Sequence, residues 1–306
     1  MRSGGNPGRF VVGREPLRLA ILEAERVLAG AGVASPRVDA EMLAAHVVGV
    51  DRGKLMMHPL VDAPALEALR TLVERRAARE PLQHLLGTAV LGPVQVAVGP
   101  GVFTPRPETE LLLEWGLREI AEIAAPLVVD LCTGTGALAL AVATSRPDAV
   151  VHAVELDPTA LTWANRNVAE HVAAGGTPVA VHAADVRKPD LLVELETRVD
   201  LVLCNPPYVP DGAALPPEVT GWDPPAALYG GPDGLEIIRA VVSTSAALLR
   251  TGGALAIEHD DTHGEAVPAL LRRRRVLTDV EDHVDLAGRP RFATARRRPL
   301  HPAGRP

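Results

Sequence analysis

From residue 127 onward, short apolar runs alternate with segments of helical spacing, and this alternation constrains the fold more than any other feature. The apolar runs predict strands at Leu127–Leu131, Val150–Glu155, Val179–Ala183, Asp200–Cys204, Ala254–Glu258, Val276–Val280 and Arg291–Ala295. Helices are expected at Glu108–Ile123, Ala137–Ser145, Pro158–Ala173, Leu191–Glu196, Gly234–Leu249 and Gly264–Arg273. Strands that are apolar throughout are typical of a parallel sheet covered on both faces. The pattern therefore predicts an α/β fold with a mostly parallel sheet.

The first 85 residues carry only helical patterns. Apolar residues recur at helical spacing in Pro16–Ala29, in Pro36–Val48 and in Asp62–Arg79. Glycines and prolines then punctuate short β-like pieces such as Val94–Val98. We therefore predict a helical domain at 1–85, a β-hairpin linker at 86–107 and an α/β domain at 108–306.

Composition excludes several classes of protein. A chain of 306 residues is long enough for about two domains, and no apolar run approaches the ~18–20 residues of a membrane span. Residues 1–10 lack the apolar core of a secretory signal. The net charge of −7, with only 3 Phe, 3 Trp and 2 Tyr, disfavours nucleic acid as the main ligand. With only two cysteines, Cys132 and Cys204, we expect the protein to work in a reducing compartment, the cytoplasm.

A glycine-rich turn follows the first predicted strand of the α/β region, in the sequence Asp130–Gly136. Such a turn lets backbone amides approach a ligand at a helix N-terminus. Glu155 ends the next strand, where a carboxylate can accept hydrogen bonds from two ribose hydroxyls. The third glycine of a dinucleotide site and a Walker lysine are both absent from this turn. S-adenosylmethionine, an adenosyl cofactor without phosphates, therefore fits better, and the alternative is a tight turn without a ligand.

A second motif, Asn205-Pro206-Pro207-Tyr208, directly follows the strand Asp200–Cys204. Two prolines stiffen the loop. Asn205 and the backbone carbonyl of Pro206 can each accept a hydrogen bond from a substrate NH₂, and Tyr208 offers a flat face and a hydroxyl. The motif suits a planar nitrogen substrate, unless it is only a rigid surface turn.

The two motifs together resemble the class I methyltransferases that modify planar nitrogens. Within that class the chain resembles, over about residues 15–295, the PrmC/HemK family of release factor glutamine methyltransferases. The resemblance is carried by Pro81–Gly87, Phe103–Glu110, Asn205–Tyr208, Asp223–Leu228, Gly230–Leu235, Glu258–His259 and Asp285–Arg289. Asn205–Tyr208 alone is shared with DNA adenine and RNA guanine methyltransferases. The Arg106–Glu110 and Gly230–Leu235 stretches are what narrow the resemblance from methyltransferases in general to the PrmC/HemK family.

The resemblance implies a Rossmann-like sheet of seven strands, the last antiparallel, beside a small helical N-terminal domain that recognises the substrate. It implies methyl transfer from S-adenosylmethionine to the side-chain nitrogen (N5) of the glutamine in the Gly-Gly-Gln motif of peptide chain release factors. No metal is required. The site residues expected here form three sets: cofactor-binding Cys132, Thr133, Gly134, Thr135, Gly136, Glu155, Asp185, Val186 and Asn205; substrate-binding Asn205, Pro206, Pro207, Tyr208 and Arg106; and catalytic Asn205, Pro206 and Tyr208. For Arg106, between two prolines, a purely structural role is the alternative to positioning the substrate.

Two rival functions remain open. A nucleic-acid amino methyltransferase would act on adenine N6 of DNA or guanine N2 of rRNA, and an inactive scaffold would bind without turnover. Two further features are expected to be structural: His259 as packing behind the site, and Arg272–Arg275 as a solvated helix end.

Overall fold

The computed structural model describes residues 14–299. Its internal contacts divide the chain between Leu86 and Gly87 into two compact units, which are described separately below. The expectation that residues 1–10 carry no secretory signal lies outside the described residues. Within the described range, no helix combines the length and apolarity needed to span a membrane.

The first unit is mainly helical, as the sequence predicts. Its helices are α1 (Leu17–Gly30), α2 (Pro36–Val48), α3 (Ala63–Ala77) and α4 (Leu82–Leu86), accompanied by the short strands β1 (Arg14–Pro16) and β2 (Leu60–Asp62) and a 3₁₀ helix at Arg52–Met57. Helix α2 begins with Pro36 and ends before Gly49 in the left-handed conformation. The Asp62 side chain caps α3. The β1–β2 pair and α4 have no counterpart in the sequence prediction.

The second unit contains the predicted seven-stranded sheet, β5 to β11, and a separate two-stranded hairpin, β3–β4. Its strands are β3 (Thr88–Leu91), β4 (Val94–Ala97), β5 (Leu127–Leu131), β6 (Val150–Glu155), β7 (Val179–Ala183), β8 (Val199–Cys204), β9 (Leu249–Glu258), β10 (Leu277–Val284) and β11 (Pro290–Arg297). Its helices are α5 (Thr109–Glu119), α6 (Ala137–Ser145), α7 (Pro158–Ala173), α8 (Pro217–Trp222), α9 (Pro225–Leu228), α10 (Glu236–Leu248) and α11 (Ala266–Arg273). Short 3₁₀ helices lie at Val193–Leu195 and Asp261–His263.

The seven strands stand in the order β10-β11-β9-β8-β5-β6-β7. The last strand of the chain, β11, runs antiparallel to both of its neighbours, and the other pairings are parallel, which confirms the expected fold class. Chain order reverses between β5 and β8, and ligands of open α/β sheets bind at such a point, outside the carboxyl ends of the strands. Leu131 pairs with Cys204, so the glycine-rich turn and the Asn205–Tyr208 loop leave neighbouring strands side by side.

The β3–β4 hairpin lies in the segment predicted as a linker, 86–107. Its apolar side chains are buried in the same core cluster as α6 and one face of β5, among them Ala89, Leu91, Val94 and Val96. The hairpin is therefore part of the core of the second unit.

The bounds of several elements differ from the predicted ones. Strand β9 begins at Leu249 rather than Ala254, because its pairing with β8 resumes at Leu249 on the far side of a register shift that contains Gly252 and Gly253. Helix α5 ends at Glu119, and the Arg146 guanidinium binds the carbonyls of Ile120 and Ile123 that follow it. The short helices α8 and α9 lie in a proline-rich segment for which the sequence predicts no helix.

Candidate active site

The glycine-rich turn between β5 and α6 is held by its own backbone. The Thr133 N–H donates to the Val154 carbonyl at 3.0 Å, and the Gly136 N–H donates to the Thr133 carbonyl at 2.9 Å. Cys132 and Gly134 both have positive φ, +60° and +57°. At Gly134, nothing lies within 4 Å of the position that a Cβ would occupy. The turn therefore exposes backbone above the strand ends, with room for a ligand to lie against it.

Asp130, the fourth residue of β5, anchors this turn from below. Its Oδ2 atom accepts hydrogen bonds from the Thr133 hydroxyl and from the Ala139 N–H of α6. The residue is 1% exposed, and burial raises the pKa of its carboxyl to about 7 against the opposing effect of both hydrogen bonds.

Glu155 closes the turn from the neighbouring strand. One carboxylate oxygen accepts from the Gly134 N–H at 2.8 Å. The other accepts from the N–H groups of Leu156 and Asp157 at 2.8 and 2.9 Å. These bonds fix the orientation of the carboxylate at the carboxyl end of β6, next to the exposed turn. An ionised carboxylate only accepts hydrogen bonds and has several lone pairs, so it can also accept bonds from the hydroxyls of a nucleoside.

Asn167 on α7 ties the turn to the hairpin, and the sequence analysis missed it. It is 3% exposed. Its Nδ2 atom donates to the carbonyls of Thr135 and Ala97 at 2.9 and 3.0 Å, and its Oδ1 atom accepts from the Ala97 N–H at 2.8 Å. A single side chain therefore satisfies groups of both segments. A polar residue on the inner face of an otherwise amphipathic helix is the only sequence signal for it.

Asp185 and Val186, expected beside the adenine, follow β7. The Ala184 N–H donates to the Glu155 carbonyl at 2.9 Å, which holds this segment next to β6. Arg187 binds the Asp185 carboxylate and lowers its pKa. Val186 is buried in the apolar cluster under the sheet, and its carbonyl accepts from the Thr244 hydroxyl at 2.9 Å.

The Asn205 side chain belongs to a series of hydrogen-bonded polar side chains that extends into the protein interior. Its Nδ2 atom donates to Thr109 Oγ1 at 3.1 Å, and the Thr109 hydroxyl donates to Glu258 Oε2 at 2.8 Å. The Tyr208 hydroxyl donates to the other oxygen, Glu258 Oε1, at 3.0 Å. Glu258 ends β9 and Thr109 begins α5, so two distant segments meet at the loop.

Burial dominates the electrostatics of this chain of residues. Glu258 is 1% exposed. Desolvation raises the pKa of its carboxyl, against the hydrogen bonds from Thr109 and Tyr208 and the charge of Arg291. Burial, followed by the repulsion of Glu258, raises the pKa of the Tyr208 phenol well above its ordinary value. Thr109 and Glu258 were not among the predicted site residues. The available signals were a carboxylate at the end of an apolar strand and the family-like Arg106–Glu110 stretch.

The Asn205–Tyr208 loop is packed closely against the glycines of the Gly230–Leu235 stretch. A Cβ on Gly230 would lie 2.6 Å from the Pro207 carbonyl oxygen, and one on Gly234 would collide with the Tyr208 carbonyl. The Val209 N–H donates to the Leu228 carbonyl at 2.8 Å. The glycines are therefore required for this close approach, which adds a second restraint to the stiffness of the two prolines.

Arg106 binds a carboxylate outside the Asn205–Tyr208 loop. It donates to Asp223 Oδ2 at 2.6 Å, and its guanidinium lies 4.9 Å from the centre of the Phe103 ring. Asp223 is 4% exposed; burial raises the pKa of its carboxyl, and the nearby Arg106 charge opposes that shift. This pair joins the segment before α5 to the loop after α8.

Several other residues have structural positions. Buried His259 contacts the Asp260 carbonyl and Asp282 Oδ1, both at 2.9 Å, and Arg272–Arg275 are exposed at the end of α11. Cys204 is buried and Cys132 half-buried, and neither forms a disulfide. Burial, and then the hydrogen bond to Cys132, raises the pKa of Cys204 well above its ordinary value. Among residues 14–299, no group of three or more His, Cys, Asp or Glu side chains is placed to hold a metal ion.

Comparison with known proteins agrees with this geometry. Residues 94–219 match the model described as "Methyltransferase small domain". Together with the seven-stranded sheet and the paired loops at its carboxyl edge, this match defines the second unit as a methyltransferase.

The relatives identify the family. Residues 20–87 match the "PrmC N-terminal domain". The release factor glutamine methyltransferase of Mycolicibacterium smegmatis is 55% identical over 281 residues, covering 92% of this chain and 98% of that protein. Those of Mycobacterium tuberculosis H37Rv (49% over 288 residues, 92% and 91% covered) and Streptomyces coelicolor (45% over 284 residues, 90% and 96% covered) are similar throughout. The chain belongs to the release factor glutamine methyltransferase family.

Proposed function

We propose that this chain transfers a methyl group from S-adenosylmethionine to the side-chain nitrogen (N5) of the glutamine in the Gly-Gly-Gln motif of peptide chain release factors, in the cytoplasm. Family membership supports the enzyme class and the partner. The observation that carries the chemistry is the orientation of Asn205. Its amide nitrogen donates to Thr109, so its carbonyl oxygen is left to accept from the NH₂ of a substrate. Asn205 follows the strand next to the one that leads into the glycine-rich turn, so this oxygen and the cofactor site lie at the same edge of the sheet.

The residues around the turn fit a nucleoside. Glu155, held by three backbone N–H groups, accepts the ribose hydroxyls. The turn from Cys132 to Gly136, open at Gly134, lies against the cofactor, and Asp185 and Val186 flank its base. When bound, S-adenosylmethionine supplies a methyl group activated by a positively charged sulfur.

The remaining residues orient the acceptor. An amide nitrogen is a poor nucleophile, because its lone pair is delocalised into the carbonyl. Asn205 Oδ1 and the Pro206 carbonyl accept hydrogen bonds from the two N–H groups of the substrate amide. Pro207 and Tyr208 keep the loop rigid around that amide. Orientation within ~3–3.5 Å of the methyl carbon supplies up to ~7–11 kcal/mol. The new nitrogen–carbon bond forms as the carbon–sulfur bond breaks, and the nitrogen releases one proton to water. We assign to Arg106, through its bond to Asp223, the role of holding in place the loop after α8, which faces the substrate.

The test is a transfer assay with a tritiated methyl donor. We expect label on a purified release factor, a Gly-Gly-Gln peptide heavier by the mass of one methylene, and no label when that glutamine is replaced by alanine. Parallel reactions contain DNA or rRNA. Label on nucleic acid alone would establish the amino methyltransferase alternative, and calorimetric binding without transfer would establish an inactive scaffold.

A further inference from the structure

A buried relay of hydrogen bonds lies behind Asn205. It runs from Asn205 through Thr109 to Glu258, with Tyr208 bonded to the second oxygen of Glu258. The Thr109 residue is 4% exposed, so water does not compete freely for these bonds. Thr109 and Glu258 lie behind the proposed amide-binding side chain, and neither is needed as an acceptor for the substrate.

The geometry of the relay gives it one direction. Glu258 Oε2 accepts from the Thr109 hydroxyl and Oε1 accepts from the Tyr208 hydroxyl, so both hydroxyl hydrogens point to Glu258. The single hydrogen of Thr109 is then used, and its oxygen can only accept. The atom of Asn205 that faces Thr109 must therefore be the amide nitrogen, and the carbonyl oxygen must face away from it.

We propose that Thr109 and Glu258 are positioning residues that fix the orientation of the Asn205 amide, so that its oxygen and not its nitrogen meets the glutamine of the substrate. This inference rests on the proposed function. An Asn side chain rotated by half a turn would present NH₂ to the substrate NH₂, with two donors facing each other. Because the relay excludes this rotamer, the Asn205 amide already has the correct orientation before the substrate binds.

Charged groups on the neighbouring elements act on Glu258 in opposite directions. Arg291 on β11 is close enough to interact with Glu258 and with Tyr208, and it also binds Asp285 Oδ2 at 3.2 Å. Glu108, directly before α5, has the opposite effect on the Glu258 carboxyl. The positive charge on the β11 side therefore opposes part of the cost of keeping a buried carboxylate ionised.

The experiment compares Thr109→Val, which removes the hydroxyl and keeps the shape, with Thr109→Ser, which keeps the hydroxyl. We expect Thr109→Val to lower kcat about tenfold, the equivalent of one net hydrogen bond, with unchanged cofactor affinity. Thr109→Ser should restore most of kcat. Thr144→Val, on the exposed side of α6, removes a hydroxyl bonded only to the Leu140 carbonyl and serves as the matched control.

Two further measurements separate positioning from folding and from function. Glu258→Gln places an NH₂ next to Thr109 or Tyr208, so it should also lower kcat, and the double variant with Thr109→Val should lose no more than the worse single variant. Proton–nitrogen NMR should show slow exchange of the Asn205 side-chain NH₂ in the wild type and in Thr109→Ser, and fast exchange in Thr109→Val.

Equal kcat in Thr109→Val and the wild type would overturn the inference, as would equal losses in the Val and Ser variants or a parallel loss of cofactor affinity. Should the wild-type enzyme fail to methylate a release factor, the proposed function fails. The NMR comparison is then decisive for the relay alone, and equal exchange rates in the three proteins would refute it.

Discussion

Two buried carboxyl groups lie at the carboxyl edge of the same sheet and organise it in different ways. Asp130 on β5 binds groups three and nine residues further along the chain, Thr133 and Ala139. Glu258 on β9 binds Thr109 and Tyr208, at separations of 149 and 50 residues. The first carboxyl shapes one continuous turn, and the second joins three distant segments.

The difference separates two tasks. The turn around Asp130 presents backbone to a cofactor, and a short stretch of chain can do this by itself. The cluster around Glu258 must hold one amide in one orientation, which needs restraints from several directions. We therefore expect substitutions at the Glu258 side to change turnover, and substitutions at the Asp130 side to change cofactor binding and folding.

The largest effect is expected for Asn205→Ala. Loss of one pre-organised polar group at a reacting centre lowers kcat by about 10²–10³-fold, and cofactor affinity should change far less. Steady-state kinetics with a release factor, together with calorimetry of cofactor binding, measure both. Asn165→Ala, on the exposed face of α7, is the matched control, because among the described residues its side chain bonds the Leu161 carbonyl alone. Near-normal turnover with cofactor bound would remove Asn205 from the chemistry.

Glu155→Gln should have the reverse signature. Hydrogen bonds to a charged group contribute about 1.5–3 kcal/mol, so the cofactor Kd should rise by about ten- to hundredfold while kcat at saturation is largely kept. Calorimetry and saturation kinetics give the two values. Glu170→Gln, which alters an exposed pair with Arg166, should leave both unchanged. A fall in kcat without a change in Kd would contradict the division of tasks.

A pH series examines the folding role of Asp130. Its pKa of about 7 lies above the ordinary 3.8, so between these values the unfolded chain ionises while the folded chain keeps its proton. The free energy of unfolding then falls as pH rises, by up to about 1.4 kcal/mol per pH unit, and levels off above pH 7. Asp130→Asn lacks this loss and should become steadily more stable relative to the wild type, as measured by urea unfolding.

Asp148→Asn is the control for that series. The half-buried Arg146 lowers the pKa of the exposed Asp148 to about 2, so any contribution of this pair is lost only as pH falls below about 4, outside the window tested. Parallel curves for the wild type and Asp130→Asn between pH 4 and 7 would show that Asp130 titrates normally.

The same contrast explains what could be predicted from the sequence. Five consecutive elements, from β5 to β7, have the predicted bounds, because their apolar periodicity and caps are local; Asp157, for example, caps α7 through the N–H groups of Thr159 and Ala160. The glycine-rich turn and Glu155 could be proposed for the same reason. Their roles in binding, like those of Asn205–Tyr208, stay predictions.

Other features could not be predicted because their partners are distant or atypical. Nothing in a single sequence indicates that Thr109 meets Glu258, or that Asn167 bonds both the turn and the hairpin. Cys132 adopts a positive φ that non-glycine residues seldom take. Helices α8 and α9 are short and begin at prolines, which masks their periodicity.

The bonds of Asn167 to Ala97 and Thr135 set a minimum length for a dissected catalytic fragment. A protein cut at residue 108 would strip the β3–β4 hairpin from α6 and leave the Asn167 carboxamide in an apolar surrounding with two of its three bonds gone. Truncation experiments and chimaeras should therefore place their junction at Leu86–Gly87, and swapping the hairpin between relatives should be accompanied by the α7 segment that receives it.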